Sequence, residues 1–243
     1  MSRTGYPHLT LPSSPPEFSF FVPFFNERES LPIAVDTLLA AFAPLRKDGL
    51  EVILVDDGSS DGSESIADEY ALAHSVVRVV HHPRNLGYGQ AVCTGFRACR
   101  GQVVGYTDAD LPADPLRYVE ALEQMDGIDL LLGYPTEHVQ RRHRRVYTAG
   151  FNALVRAMFG VRVRNINFSF KLLRRRIVDR LTLNAQSGFV DAQIVIEAHR
   201  AGAVIREIPV VFQPRRVGTS HFDSPLAAVP TAREAFSWWL RTR

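Results

Sequence analysis

The residues of this chain best suited to chemistry are carboxylates in two short stretches. "DAD", Asp108 to Asp110, spaces two aspartates one residue apart, and "VDDGSSDGS", Val55 to Ser63, sets Asp56 and Asp57 directly behind the apolar run "EVILV". Two aspartates at the first spacing, on a loop, present oxygens to one hard divalent cation, and an ion held by few protein ligands keeps positions for phosphate oxygens. Such a cation neutralises a departing diphosphate as a Lewis acid. A D-x-D pair arises often by chance, and a single Asp behind a strand is ordinarily a turn or cap residue. Four acids behind two apolar runs are harder to assign to turns alone.

The elements that must position these acids alternate in type. "FSFFVPFF" reads as a buried strand, "RESLPIAVDTLLAAFAPLRKDG" as an amphipathic helix ending at glycine, and "LEVILVDD" as a second strand. "DGSESIADEYALAH" follows as a helix with Ser and Asp at its start, then "VVRVVHH" as a strand, "GYGQAVCTGFRACR" as a helix and "QVVGYTDAD" as a fourth strand. Strands separated by helices imply right-handed crossovers and a mostly parallel sheet flanked by helices, an α/β fold in a single domain. Runs such as "VILV", apolar without alternation, suit strands covered on both faces. Ligands of such sheets sit beyond the carboxyl ends of the strands. That rule gathers Asn26 to Arg28, Asp56 and Asp57, and Asp108 and Asp110 onto one rim. "NLGYGQAV" offers a rival, since G-x-G between strand and helix is part of a dinucleotide-binding fingerprint. Its third glycine is missing and it follows the third strand, so its glycines are better suited to a tight turn and close packing beside the rim.

Composition bounds the rest. The chain has 243 residues, 46% apolar and 22% charged, with a net charge of +2, so the molecule as a whole is no polyanion binder and no nucleic-acid partner is expected. Basic residues are nevertheless clustered at Arg141 to Arg145, Arg174 to Arg176 and Arg215 to Arg216. Cys93 and Cys99 lie too close together on one helix to staple a fold and read as reduced thiols. No run approaches the ~18 apolar residues of a membrane span, and "FSFFVPFF" is too short and too soon followed by charge for a signal peptide. A cytoplasmic protein is expected, with a Pro/Ser-rich tail over 1–17, a domain over 18–225 and an amphipathic C-terminal helix over 226–243. In that helix, Trp238 and Trp239 flanked by arginines either bury against the domain or lie at a membrane interface, a peripheral contact.

Four ordered stretches resemble glycosyltransferase family 2. "FVPFFNERESL" is similar to its "VPxYNEE", "VDDGSSDGS" to "VDDGSxDGT", "NLGYGQA" to "NxGxGxA" and "DADLP" to "DADLQ"; the resemblance runs from about Phe18 to about Ser220 and is greatest to polyprenyl-phosphate sugar synthases of the dolichol-phosphate-mannose type. It implies a GT-A fold with a nucleotide-binding half over 18–115 and an acceptor half over 116–225. It further implies a nucleoside diphosphate sugar as donor, inversion at the anomeric carbon, and Mg2+ or Mn2+ as cofactor. Position by position, Pro23, Phe25 and Glu27 would line base and ribose, Val55, Asp57 and Ala109 would contact the nucleotide, and Asp108 and Asp110 would hold metal and diphosphate. On that reading the acids stand bare because a nucleotide and its metal approach the backbone closely.

Downstream, "VRVRNINFSFKLLRR" resembles "DxxSGFRxxRR" with Asn165 for the usual acid and Ser169 for the usual glycine, and gives Lys171 as an acceptor contact. "GFVDAQIVIEAHRAGAVIREIPVVFQPRRVGTS" resembles the family's closing stretch, where Arg215, Arg216 and Ser220 would lie on a loop that closes on phosphate. Arg144 and Thr148 stand where the family grips an acceptor phosphate. Pro112 departs from the family's Gln. A polyprenyl phosphate acceptor is already anionic and needs no base, whereas a hydroxyl acceptor on a soluble metabolite or glycan needs a carboxylate, for which Asp191 is the candidate. A non-catalytic nucleotide-sugar-binding protein is the outside reading.

Overall fold

A computed structural model of the chain describes residues 15–136, 142–214 and 228–242. Seven strands form one sheet: β1 (Phe18–Phe24), β2 (Leu50–Asp56), β3 (Val77–His81), β4 (Val103–Tyr106), β5 (Leu130–Pro135), β6 (Lys171–Arg174) and β7 (Ile205–Val210). Their order across the sheet is β3-β2-β1-β4-β6-β5-β7. β1 pairs in parallel with β2 and β4, β2 with β3, and β5 with β7, while β6 runs antiparallel to both β4 and β5. The sheet is therefore mostly parallel. Its one reversed strand has a consequence for the site: antiparallel register sets Lys171, the first residue of β6, opposite Tyr106, the last of β4.

The helices are α1 (Ser30–Ala41), α2 (Ser63–Ala73), α3 (Tyr88–Ala98), α4 (Leu116–Leu122), α5 (Arg142–Phe159), α6 (Arg175–Val178), α7 (Phe189–Arg200) and α8 (Ala228–Thr242). The long helix expected after β1 breaks at Ala41, and a 3-10 turn over Ala43–Asp48 carries the chain to Gly49. Pro44 is the physical reason, because its ring and missing N–H cannot continue the α-helical ladder. Gly49 then takes φ 84°, the left-handed region open to glycine.

Strand pleating divides the core between the two faces of the sheet. Phe20, Val22, Val52 and Leu54 join a cluster with α1 and Tyr118, whereas Phe21, Ile53, Val55 and Tyr106 join one with α3, α7 and α8. Every residue of β1 and β2 is buried, as non-alternating apolar runs require. Aromatic side chains fasten the layers, with Phe21 stacked on Tyr106 at 5.0 Å and Tyr118 on Phe170 at 3.9 Å.

One buried charge in this sheet is fully answered. Glu51 accepts hydrogen bonds from the Ser19 hydroxyl at 2.5 Å, the Arg100 backbone N–H at 2.6 Å and the Arg100 and Arg78 guanidinium groups at 2.9–3.0 Å. Burial alone would raise its pKa, but Ser19, Arg100 and Arg78 together pull it below the ordinary range. A carboxyl with a lowered folded-state pKa contributes stability that is complete above about pH 4.3 and is lost as pH falls through the folded value. Glu51→Gln should accordingly lower the melting temperature near neutrality. Thermal melts of the two proteins from pH 7 down to about pH 3 should converge at the acid end; a gap independent of pH would contradict the assignment.

Candidate functional site

The carboxyl ends of β1, β2 and β4 meet at one rim, and backbone demand shapes it first. Asn26, in the left-handed region at φ 53°, donates its N–H to Ser59 Oγ at 2.9 Å and accepts from Ser60 N–H at 2.9 Å through Oδ1. Glu27 N–H donates to Ser63 Oγ and Arg28 N–H to Asp61 Oδ2, so the loop after β1 is laced to the loop after β2. The small residues of "GSSDGS" serve this lacing. Gly58 allows it sterically, since a Cβ there would stand 2.4 Å from the Arg84 carbonyl carbon at φ 74°.

Asp56 and Asp57 do not stand bare. Asp56 accepts from Ser59 N–H at 2.8 Å and pairs with His81 Nδ1 at 2.9 Å, while Asp57 meets His82 Nδ1 at 2.8 Å, Leu86 N–H at 2.9 Å and Gly87 N–H at 3.0 Å. Both are buried. The physical reason is that loop N–H groups inside the fold must find acceptors, and these carboxylates are the nearest available. Asp57 thereby fixes the glycine loop, where Gly87 has φ 94° and a Cβ on Gly89 would lie 2.4 Å from the Ala185 carbonyl oxygen.

The fixed loop delivers Tyr88, the first residue of α3. Its hydroxyl donates to Asp108 Oδ1 at 2.9 Å and lies 3.5 Å from Asp191 Oδ2. Asp191, on the first turn of α7, also accepts from the Tyr106 hydroxyl at 2.5 Å and from Lys171 Nζ at 2.5 Å. Lys171 has no exposed surface, and its ammonium makes a further bond to the Phe168 carbonyl at 2.7 Å. Tyr88 and Tyr106 are held protonated, their pKa values raised first by burial and then by the neighbouring aspartates. Asp108 is pushed up to about 7, by burial first and then by the charges of Asp110 and Asp191, against the bond from Tyr88. The site thus carries surplus negative charge at its rim.

The sequence-derived residues fall into three groups. Asp108, Asp110 and Asp191 come together with Ala109 between the first two, and Pro23, Phe25, Glu27 and Asp57 lie at the same strand ends. Val55 and Lys171 belong to the interior: the side chain of Val55 is in the core, and the charge of Lys171 is committed to Asp191. Thr148 lies partly exposed on α5, the side chain of Arg144 is outside the described residues, and Arg215, Arg216, Ser220 and the tail over 1–14 lie outside them too. Tyr88, Tyr106, His82 and Glu234 went unread in the sequence. The signal for Tyr106 was a phenol inside a buried strand, whose hydroxyl must find a partner.

Comparison with known proteins identifies the family and the fold. The model of "Glycosyl transferase family 2" matches residues 19–182. The polyprenol monophosphomannose synthase of Mycolicibacterium smegmatis is 31% identical over 82% of this chain and 78% of its own. Glycosyltransferase AglD of Haloferax volcanii is 30% identical over 82% of this chain, which spans only 33% of that protein's length. The undecaprenyl-phosphate 4-deoxy-4-formamido-L-arabinose transferase of Pseudomonas fluorescens is 31% identical over 87% of this chain and 61% of its own. Among solved structures, glucosyl-3-phosphoglycerate synthase from Mycobacterium tuberculosis, in complex with Mn2+, UDP-glucose and phosphoglyceric acid, superposes with a TM-score of 0.70 at 20% identity, covering 92% of this chain and 80% of that one. The shared fold is GT-A, and with a family match over most of its length the chain belongs to glycosyl transferase family 2 and is a glycosyltransferase.

Proposed function

We propose that this chain transfers a hexose, with inversion, from a nucleoside diphosphate sugar of the GDP-mannose or UDP-glucose type to a polyprenyl phosphate. The observation that carries the choice of acceptor is the state of Asp191. Its Oδ1 is committed to a buried ammonium and a tyrosine hydroxyl and the residue is itself buried, so it is poorly placed to take the proton of a hydroxyl acceptor. An acceptor that arrives anionic needs no base. Two of the relatives named above are a polyprenol monophosphomannose synthase and an undecaprenyl-phosphate 4-deoxy-4-formamido-L-arabinose transferase, names that favour the same acceptor class here.

The residues present fit a divalent cation. Asp108 and Asp110 offer hard oxygen donors at a rim where burial, and then the charges of Asp110 and Asp191, raise the Asp108 pKa to about 7, a condition that added positive charge relieves. These two residues would hold Mg2+ or Mn2+, which supplies charge neutralisation to the leaving diphosphate. Pro23, Phe25, Glu27, Asp57 and Ala109, with the backbone at Val55, would form the nucleotide wall. Arg144, Thr148, Arg215, Arg216 and Ser220 would orient the acceptor phosphate. One phosphate oxygen then forms the bond to the anomeric carbon as the bond to the diphosphate breaks on the opposite face, and no proton moves. Lys171 and Tyr106 hold Asp191 in place behind that reaction.

Incubation with labelled GDP-mannose, UDP-glucose or UDP-N-acetylglucosamine and polyprenyl phosphate should carry label into the organic phase for one donor. Label appearing only on soluble acceptors would overturn the lipid reading in favour of a hydroxyl acceptor. Asp108→Asn with Asp110→Asn should abolish Mn2+-dependent nucleotide binding in calorimetry, and unchanged affinity would sink the cation assignment. A proton competes with the cation at Asp108, so Mn2+ affinity should fall by up to about tenfold per pH unit below about pH 7. Without cation the sign for stability is the reverse of that for Glu51: a raised carboxyl stabilises most below its unfolded pKa, and that contribution is lost as pH rises towards 7.

The buried pair gives a separate check. Lys171→Met strands a buried carboxylate and should destabilise the protein by about 3–5 kcal/mol in urea titrations, with part of the loss recovered by adding Asp191→Asn. Transfer to a phosphate acceptor by that double variant should persist. A loss of about 10²–10⁴-fold with intact donor binding, the size of a general-base contribution, would instead mark Asp191 as a base.

A further inference from the structure

α8 has two unlike faces. Its inner face is committed to the fold: Trp238 lies 5.5 Å from the Phe159 ring and 5.8 Å from that of Phe189, with the Arg200 guanidinium 4.8 Å above it. Glu234 accepts from the backbone N–H groups of Gln186 and Ser187 at 2.8 and 3.0 Å and from the Ser187 hydroxyl at 2.5 Å. The outer face is apolar and basic. Val229, Arg233, Phe236 and Leu240 recur at steps of four, three and four residues, one stripe of an α-helix, and the three apolar members are 60%, 51% and 56% exposed. Trp239 lies beside them with its ring 5.9 Å from that of Phe236, and Arg233 and Arg241 are exposed.

Charge says what this face meets. α8 packs beside α5, and its own charged residues are two exposed arginines, Arg233 and Arg241, and a single acid. That acid is Glu234, and its carboxylate is turned inward to the turn at Ser187. Large exposed apolar side chains in a helix whose charges are cationic are the signature of a helix lying in an anionic lipid interface. The location agrees as well, because the turn that Glu234 holds leads directly into Asp191 and packs against Gly87 and Gly89 of the rim.

We infer that the outer face of α8, flanked by α5, docks on an anionic lipid bilayer and brings the rim to the membrane surface. The inference deepens the lipid-acceptor reading and rests on it for its purpose, while its test requires neither donor nor acceptor. The full chain is mixed with phosphatidylcholine vesicles with or without phosphatidylglycerol, free of any polyprenyl phosphate, and bound protein is measured by sedimentation and by the shift of tryptophan emission. Binding should require phosphatidylglycerol and weaken with added salt. Phe236→Ser with Leu240→Ser, and separately Arg233→Glu with Arg241→Glu, should each weaken it by about tenfold or more, as removal of apolar insertion or of charge attraction demands. Leu72→Ser, at a site 89% exposed on α2, should leave it unchanged. Failure to bind phosphatidylglycerol vesicles, or binding indifferent to both double variants, would overturn the inference. So would a dimer in solution that the Phe236→Ser, Leu240→Ser protein no longer forms, since a second copy would then be what covers the face. Transfer to polyprenyl phosphate in detergent micelles tests the acceptor reading independently of these outcomes.

Discussion

A lysine ammonium with no access to water must be answered by a carboxylate, and the pair Lys171 and Asp191 ties together parts of the chain that share no other reason to meet. Lys171 begins the one reversed strand among the described residues, and Asp191 lies in the first turn of the helix that packs on one face of the sheet. The desolvation of both ions is offset only if every further bond is made, and here Tyr106 and the Phe168 carbonyl make them. Two bonds from this pair reach the rim: Tyr106 ends the strand that leads into Asp108, and Tyr88 lies between Asp191 and Asp108. The position of the rim acids is thus set from beneath by this hydrogen-bonded pair.

The same logic divides labour among the four rim aspartates. Asp56 and Asp57 accept from backbone N–H groups and pair with histidines, so both build the loops, Asp57 doing so beside the wall proposed for the nucleotide. Asp108 is raised by burial first and then by its charged neighbours, and remains the acid most in need of added positive charge. Adjacent stretches of similar composition therefore do different things, and the number of loop donors each carboxylate receives is what separates them.

Much of this architecture was legible in the sequence. Unbroken apolar runs announced strands covered on both sides, and strand–helix alternation announced a parallel sheet with its ligands at the carboxyl rim. The order of the later strands was not legible, because "KLLR" is too short to show a direction and its antiparallel pairing is decided by tertiary packing. Lys171 looked like an acceptor contact because a lysine in an apolar stretch reads as a displayed charge until its buried partner, twenty residues away, is known. The tryptophan pair at 238 and 239 offered two alternatives, and the helix realises inward burial with the first; adjacent positions on a helix lie about 100° apart, so neighbours need not share an environment.

Precision at the rim comes from carboxylates that hold backbone N–H groups. Glu234 grips two successive N–H groups of the 186–187 turn, and that turn lies so close to the glycine loop that a Cβ on Gly87 would stand 2.8 Å from the Gln186 carbonyl oxygen. The glycine loop in turn gives its Gly87 N–H to Asp57 and its next side chain, Tyr88, to Asp108. Each link is a carboxylate holding main-chain N–H groups, a close backbone approach, or a tyrosine hydroxyl bonded to an aspartate. The helix that presents an apolar, basic face to the outside is therefore mechanically joined to the acid that carries the most perturbed charge in the molecule's rim.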